Sequence, residues 1–206
     1  MKTKAVITIS LFVAAAFTTQ SGPGPEEFAP RSDGFIRDWL VLLPIQLESD
    51  ADGGQAIEKS QIPDEGALKP KTGDKVTVNG KELIWRKMKA TDFFLDFNAM
   101  LNQQTEKTVV YAVTYIRAEA ERKLDLKMGS NDQGKVYLNG KLLIKTSEPR
   151  PLEQDNDAAS NVTLNKGINV VVFKIFNEGG SDWQGCVRFT ESNGKAVSNL
   201  VVRLEP

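Results

Sequence analysis

The chain has 206 residues, 26 basic and 27 acidic side chains, one cysteine and no histidine. The interspersed, nearly balanced charges leave no basic stripe of the kind a nucleic-acid binder carries. Without histidine there is no Ser-His-Asp or Cys-His catalysis and no His-ligated zinc or iron, and a lone Cys186 excludes an intramolecular disulfide.

Lys2 and Lys4 precede an uncharged run, Ala5 to Phe17, and polar, turn-forming residues follow. That is the three-part pattern of a secretory signal. Ala14 and Ala16 supply the small-x-small step, with cleavage after Ala16 or a few residues later near Ser21. Residues 1–21 are therefore read as a signal, predicting export to the periplasm or cell exterior. The run is shorter than the ~20 apolar residues of a spanning helix, and no later run approaches that length. Residues 22–37 read as a linker and 38–206 as one domain.

Asp38 to Leu47 (DWLVLLPIQL) reads as a strand in which Pro44 demands an edge or a bulge. Glu48 to Asp74 is polar and rich in Gly and Pro, an excursion with little core, holding a short helix around Ala51 to Ser60. Asn79-Gly80 and Asn139-Gly140 each stand between two apolar arms, and Asn-Gly supplies the two positive φ angles of a type I′ hairpin. The arms share the pattern KVxxNGKxLI, which good hairpin chemistry explains without duplication. Val109 to Arg117 (VVYAVTYIR) is apolar almost throughout, as a strand covered on both faces would be. Lys123 to Met128 alternates. Asn161 to Leu164, Ile168 to Phe176 (INVVVFKIF), Trp183 to Thr190 and Val197 to Leu204 complete the strands. Thr91 to Asn102 and Ala118 to Arg122 are the remaining helix candidates. Many short strands with little helical periodicity indicate an all-β sandwich or barrel.

The second half carries an ordered set: GSNDQGKVYLNGKLL (Gly129 to Leu143), a polar loop with Asp155 and Asp157, VTLNKGINVVVFKIFNEGG (Val162 to Gly180) and DWQGCVRFTESNGKAV (Asp182 to Val197). This order resembles the galactose-binding-like jelly-roll modules of secreted bacterial proteins, which accompany polysaccharide-degrading enzymes. The resemblance implies a jelly-roll β-sandwich with minor short helices that binds carbohydrate, has no catalytic residues and serves as an accessory to polysaccharide degradation or attachment.

A sugar site needs an apolar platform and a few directed polar groups. Trp183, flanked by Asp182 and preceded by the Glu178-Gly-Gly-Ser181 loop, is the platform candidate, with Asn131, Asp132 and Asn177 as hydrogen-bonding partners. The same residues also admit a structural role: Trp183 in the core and Asp132 holding backbone N–H groups in its own turn. Trp39, Trp85, Tyr111, Tyr115 and Cys186 read as packing. No cofactor is expected; Asp155 and Asp157 are hard-oxygen candidates for calcium, but the alternating loop signature of a strong calcium motif is absent. Asn161-Val-Thr163 matches a glycosylation sequon. The expected partner is a glycan or polysaccharide. The alternatives are a protein-interaction sandwich with an exposed apolar sheet face, and a glycan-active enzyme with two facing carboxyl groups.

Overall fold

A computed structural model describes residues 24–206, so the signal segment assigned to 1–21 lies outside the described residues. In chain order the elements are β1 (Glu27–Phe28), β2 (Asp38–Gln46), α1 (Gly53–Glu58), a 3-10 turn (Glu65–Ala67), β3 (Lys75–Val78), β4 (Lys81–Ile84), β5 (Arg86–Lys89), β6 (Leu95–Asp96) and α2 (Phe97–Leu101). There follow β7 (Thr108–Ala118), β8 (Arg122–Asn131), β9 (Gly134–Leu138), β10 (Lys141–Thr146), β11 (Asp157–Leu164), β12 (Gly167–Asn177), β13 (Gln184–Thr190) and β14 (Val201–Arg203).

The strands form an all-β, antiparallel sandwich. The larger sheet runs β1-β14-β7-β12-β9-β10, with β2 and then β5 joining on the β14 side of β7. The smaller sheet runs β11-β8-β13-β6. Period-two alternation places Trp39, Val110, Ala112, Val171, Phe173 and Ile175 of the first sheet against Leu124, Leu126, Met128, Val187 and Phe189 of the second. Gly185 on β13 exists for this contact. A Cβ there would lie 2.3 Å from Ile175 Cδ1 and 2.7 Å from the Phe173 ring, so Gly185→Ala is expected to lower stability by about 1–3 kcal/mol in chemical denaturation.

Residues 48–74 are not the coreless excursion their polarity suggests. With the β3–β4 hairpin they cover the outer face of the larger sheet, where Ile57, Ile62, Val78, Leu83 and Trp85 pack on Leu40, Leu42, Tyr111, Tyr115, Val172 and Phe176. That cover is why β7 and β12 are apolar on both faces. Both Asn-Gly hairpins form as expected: φ is 50° and 76° at Asn79 and Gly80, and 51° and 85° at Asn139 and Gly140. The register of β2 on β7 shifts between Leu42 and Ile45, the irregularity Pro44 requires.

Three other expectations need correction. The segment read as a linker belongs to the sandwich from Glu27 onward: β1 pairs with β14, and Phe35 and Ile36 are buried. Two adjacent apolar side chains gained more by burial than the Pro- and Gly-rich flank implied. Ala118 to Arg122 is a turn between β7 and β8 rather than a helix, because both flanking strands extend into it. Of Val197 to Leu204, only β14 is paired strand. The helix expected over Ala51 to Ser60 is α1, with Asp52 accepting from the Gln55 N–H as its N-cap; the one over Thr91 to Asn102 shortens to α2.

Candidate functional site

The loops expected to build a sugar site do meet at one end of the sandwich, but they meet as packed structure. Asp132 N–H donates to the Phe176 carbonyl (3.3 Å), and the Asp132 carboxylate accepts from the Glu178 N–H (2.9 Å). Burial raises the Asp132 pKa, partly offset by that backbone bond. Glu178 in turn accepts from Gln133 Nε2 (2.8 Å) and Lys107 Nζ (2.6 Å). Asn177 is fully buried; its amide donates to the Thr105 carbonyl (2.6 Å) and its oxygen accepts from the Gly179 N–H (3.0 Å). Asn131 is half-buried with its Oδ1 enclosed, and Asp182 is exposed in the loop before β13.

Trp183 cannot serve as a platform. Its ring is 0% exposed and lies against Phe97, centroids 5.1 Å apart, under α2. The short helix after β6 closes over it, so both ring faces are taken by the core. The polar candidates Asp132 and Asn177 are likewise spent on backbone and side-chain partners within the fold. Trp39, Trp85, Tyr111, Tyr115 and Cys186 are buried, as their strand positions predict. Burial pushes the Cys186 thiol up to about 12. Alkylation of the native protein at neutral pH is therefore expected to be negligible, and complete after denaturation, as read by mass spectrometry.

Asp155 and Asp157 are each held by an arginine. Asp155 is paired to Arg188, whose Nε donates at 2.8 Å, and Asp157 to Arg150. Two guanidiniums already neutralise the carboxylates, and no cluster of three or more metal-ligating side chains occurs among the described residues.

A buried ionic cluster lies between the cover and the larger sheet, and its residues were not among the sequence candidates. Tyr111, Lys174 and Lys135 are register partners across β7, β12 and β9. Glu65, from the 3-10 turn, descends onto them. Its carboxylate accepts from Tyr111 and Tyr137 hydroxyls (2.5 Å each), Lys174 Nζ (3.2 Å) and Lys135 Nζ (3.5 Å). Burial alone would raise the Glu65 pKa, but those hydroxyls and ammoniums outweigh it and hold the carboxyl below its ordinary value. Lys174 is wholly buried; it also donates to the carbonyls of Ala56, Ile57 and Lys59, at the C-terminal end of α1. Burial lowers its pKa to about 8, leaving it charged at neutral pH. The signal was present in INVVVFKIF: a lysine in a strand covered on both faces needs polar partners in the interior.

Solvent-accessible aromatic surface lies elsewhere. All three tryptophans and all three tyrosines are buried, and among the described residues Phe28, Phe93 and Phe94 are the aromatic residues that are half-buried. Phe94 lines a concavity of about 500 Å³ with Met88, Met100, Ala90 and Ala99, rimmed by Lys87, Lys89, Asp92 and Asp96. It is braced from behind: Phe93 lies edge-on to it at 5.0 Å and against buried Phe35 at 5.3 Å. A larger concavity, about 700 Å³, lies between α1 and the β3–β4 turn, but its lining (Gln46, Glu48, Asp50, Asp52, Gln55 and Asn79 among others) contains no aromatic ring.

No protein-family model matches the chain, and no characterised protein sequence matches it. Among solved structures it is similar to the β-glucuronidase from Ruminococcus gnavus in complex with an N1-substituted uronic isofagomine. That similarity has a TM-score of 0.39 at 13% identity, over 82% of this chain and 30% of the enzyme chain. A likeness of that size supports neither a shared fold nor a shared activity.

Proposed function

We propose that this is an exported, non-catalytic glycan-binding module with a galactose-binding-like jelly roll, an accessory to polysaccharide degradation or attachment. The observation that carries the reading is the Phe94 concavity: a braced, partly exposed aromatic ring beside two methionines, with charged and hydroxyl groups at its rim. Such a surface suits the C–H face of a pyranose, with polar groups left for its hydroxyls. The ordered motifs from Gly129 to Val197 and the antiparallel sandwich support the fold part of the proposal.

The other readings have less to rest on. A carboxylate-based enzyme finds acidic groups in both concavities, Glu48, Asp50 and Asp52 in the larger and Asp92 and Asp96 beside Phe94, but Asp132, whose pKa burial raises, lines neither. A protein-docking sheet face is not supported either. The larger sheet's outer face is covered, and among the described residues the exposed large apolar side chains are Leu142 and Ile168. No helix among the described residues is long and apolar enough to cross a membrane.

The test is retention on immobilised plant, algal and microbial polysaccharides, followed by calorimetry on whatever is retained. Phe94→Ala is expected to weaken binding at least about tenfold, equivalent to ~1.4 kcal/mol, with little change in Tm because the ring is only partly buried. Retention unaffected by that substitution would move the site elsewhere.

A further inference from the structure

The charges around the Phe94 concavity bear on which glycans it takes; this step rests on the proposed glycan site. The two basic side chains in its lining are already paired. Lys87 Nζ is 2.7 Å from Glu26 Oε2, while Lys89 Nζ is 3.4 Å from Asp38 Oδ1 and stands over the Phe28 ring. Arg31 donates to the Thr91 carbonyl (3.2 Å) but is not part of the lining. The two acidic side chains form no direct ion pair among the described residues, although Asp92 acts on the charge of Arg37, which is itself paired with Asp33. Each uses one oxygen locally: Asp92 Oδ1 accepts from the Phe93 N–H (2.7 Å) and Asp96 Oδ1 from the Ala99 N–H (2.9 Å). Each keeps lone pairs on its second oxygen.

An ionised carboxylate accepts hydrogen bonds and donates none. Two of them beside an apolar floor complement a ligand that presents O–H donors, and they repel one that carries carboxylate or sulfate. We infer that the Phe94 concavity selects neutral pyranose units with free hydroxyls, held by Asp92 and Asp96, and discriminates against uronate- or sulfate-bearing glycans.

Affinity electrophoresis of the mature chain in gels containing β-glucan, mannan or galactan, against alginate, pectin or carrageenan, tests this at low and high salt. The expected result is retardation by at least one neutral polysaccharide and none by the anionic set. Asp92→Asn with Asp96→Asn should weaken the neutral interaction about tenfold while leaving Tm nearly unchanged, because asparagine still caps α2. Retardation by an anionic polysaccharide, abolished by Phe94→Ala, would overturn the selectivity and keep the site. Neutral binding that Phe94→Ala abolishes but the double asparagine variant leaves intact would overturn the role of the two carboxylates. Retardation by none of the six, repeated on a broader glycan array, would overturn the glycan-binding reading itself.

Discussion

Glu65→Ala is expected to cost about 3–5 kcal/mol of unfolding free energy in urea or guanidinium titration, the usual consequence of breaking a buried ion pair from one side. The substitution removes the acid paired with buried Lys174 and one of the two acids paired with Lys135, the other being Glu58, and takes away the acceptor of the Tyr111 and Tyr137 hydroxyls. Glu65→Gln keeps one acceptor oxygen but loses the charge, so its loss should be intermediate. The cover should loosen before the sandwich does, with faster amide exchange across residues 53–67 than across β7 and β12. The pH dependence has a definite sign. The folded Glu65 carboxyl titrates below its ordinary value of 4.5, so its stabilisation is complete above that pH and fades as pH falls through the folded pKa. Glu65→Gln should therefore flatten the acid limb of a stability-versus-pH curve. An Ala variant within 1 kcal/mol of the parent would show that the cover is held by its apolar contacts alone.

Trp183→Ala is the second large effect, about 3–5 kcal/mol from a cavity left beneath α2 and beside Phe97. A surface platform would behave otherwise, losing ligand affinity with little change in stability. Tm and glycan retention measured on the same variant separate the two. The contrast with Phe94→Ala, whose expected effect falls on binding, is the sharpest check on where a ligand sits.

The difference between these two aromatic residues shows what could be read in the residues alone. Trp183 follows a Gly-rich loop and opens a strand, a position from which tryptophan can point either out or in. Nothing local decides it. The decision is made by α2, more than 80 positions earlier in the chain, which lies over the ring. Phe94 falls in the stretch Thr91 to Asn102 that reads as a helix, but it lies in the connection between β5 and β6, ahead of α2. Phe93 packs edge-on against it and in turn against buried Phe35. Lys174 is the intermediate case. Its place inside INVVVFKIF calls for polar partners in the interior, but their identity, Glu65 and the carbonyls at the end of α1, depends on how the cover folds back.

By itself, then, the sequence determined what local chemistry can specify: an antiparallel β domain, two Asn-Gly turns, the irregularity at Pro44, strands buried on both faces, and the absence of histidine and disulfide chemistry. Tertiary structure alone decided which polar groups remain available. Asp132 and Asn177 are consumed by partners 46 and 72 positions away, and Asp155 and Asp157 by arginines 33 and 7 positions away, and the open aromatic surface falls to Phe94. The physical reason is that a turn or a strand is set by the conformational preferences of adjacent residues, whereas a binding site consists of whatever long-range packing leaves exposed and unpaired.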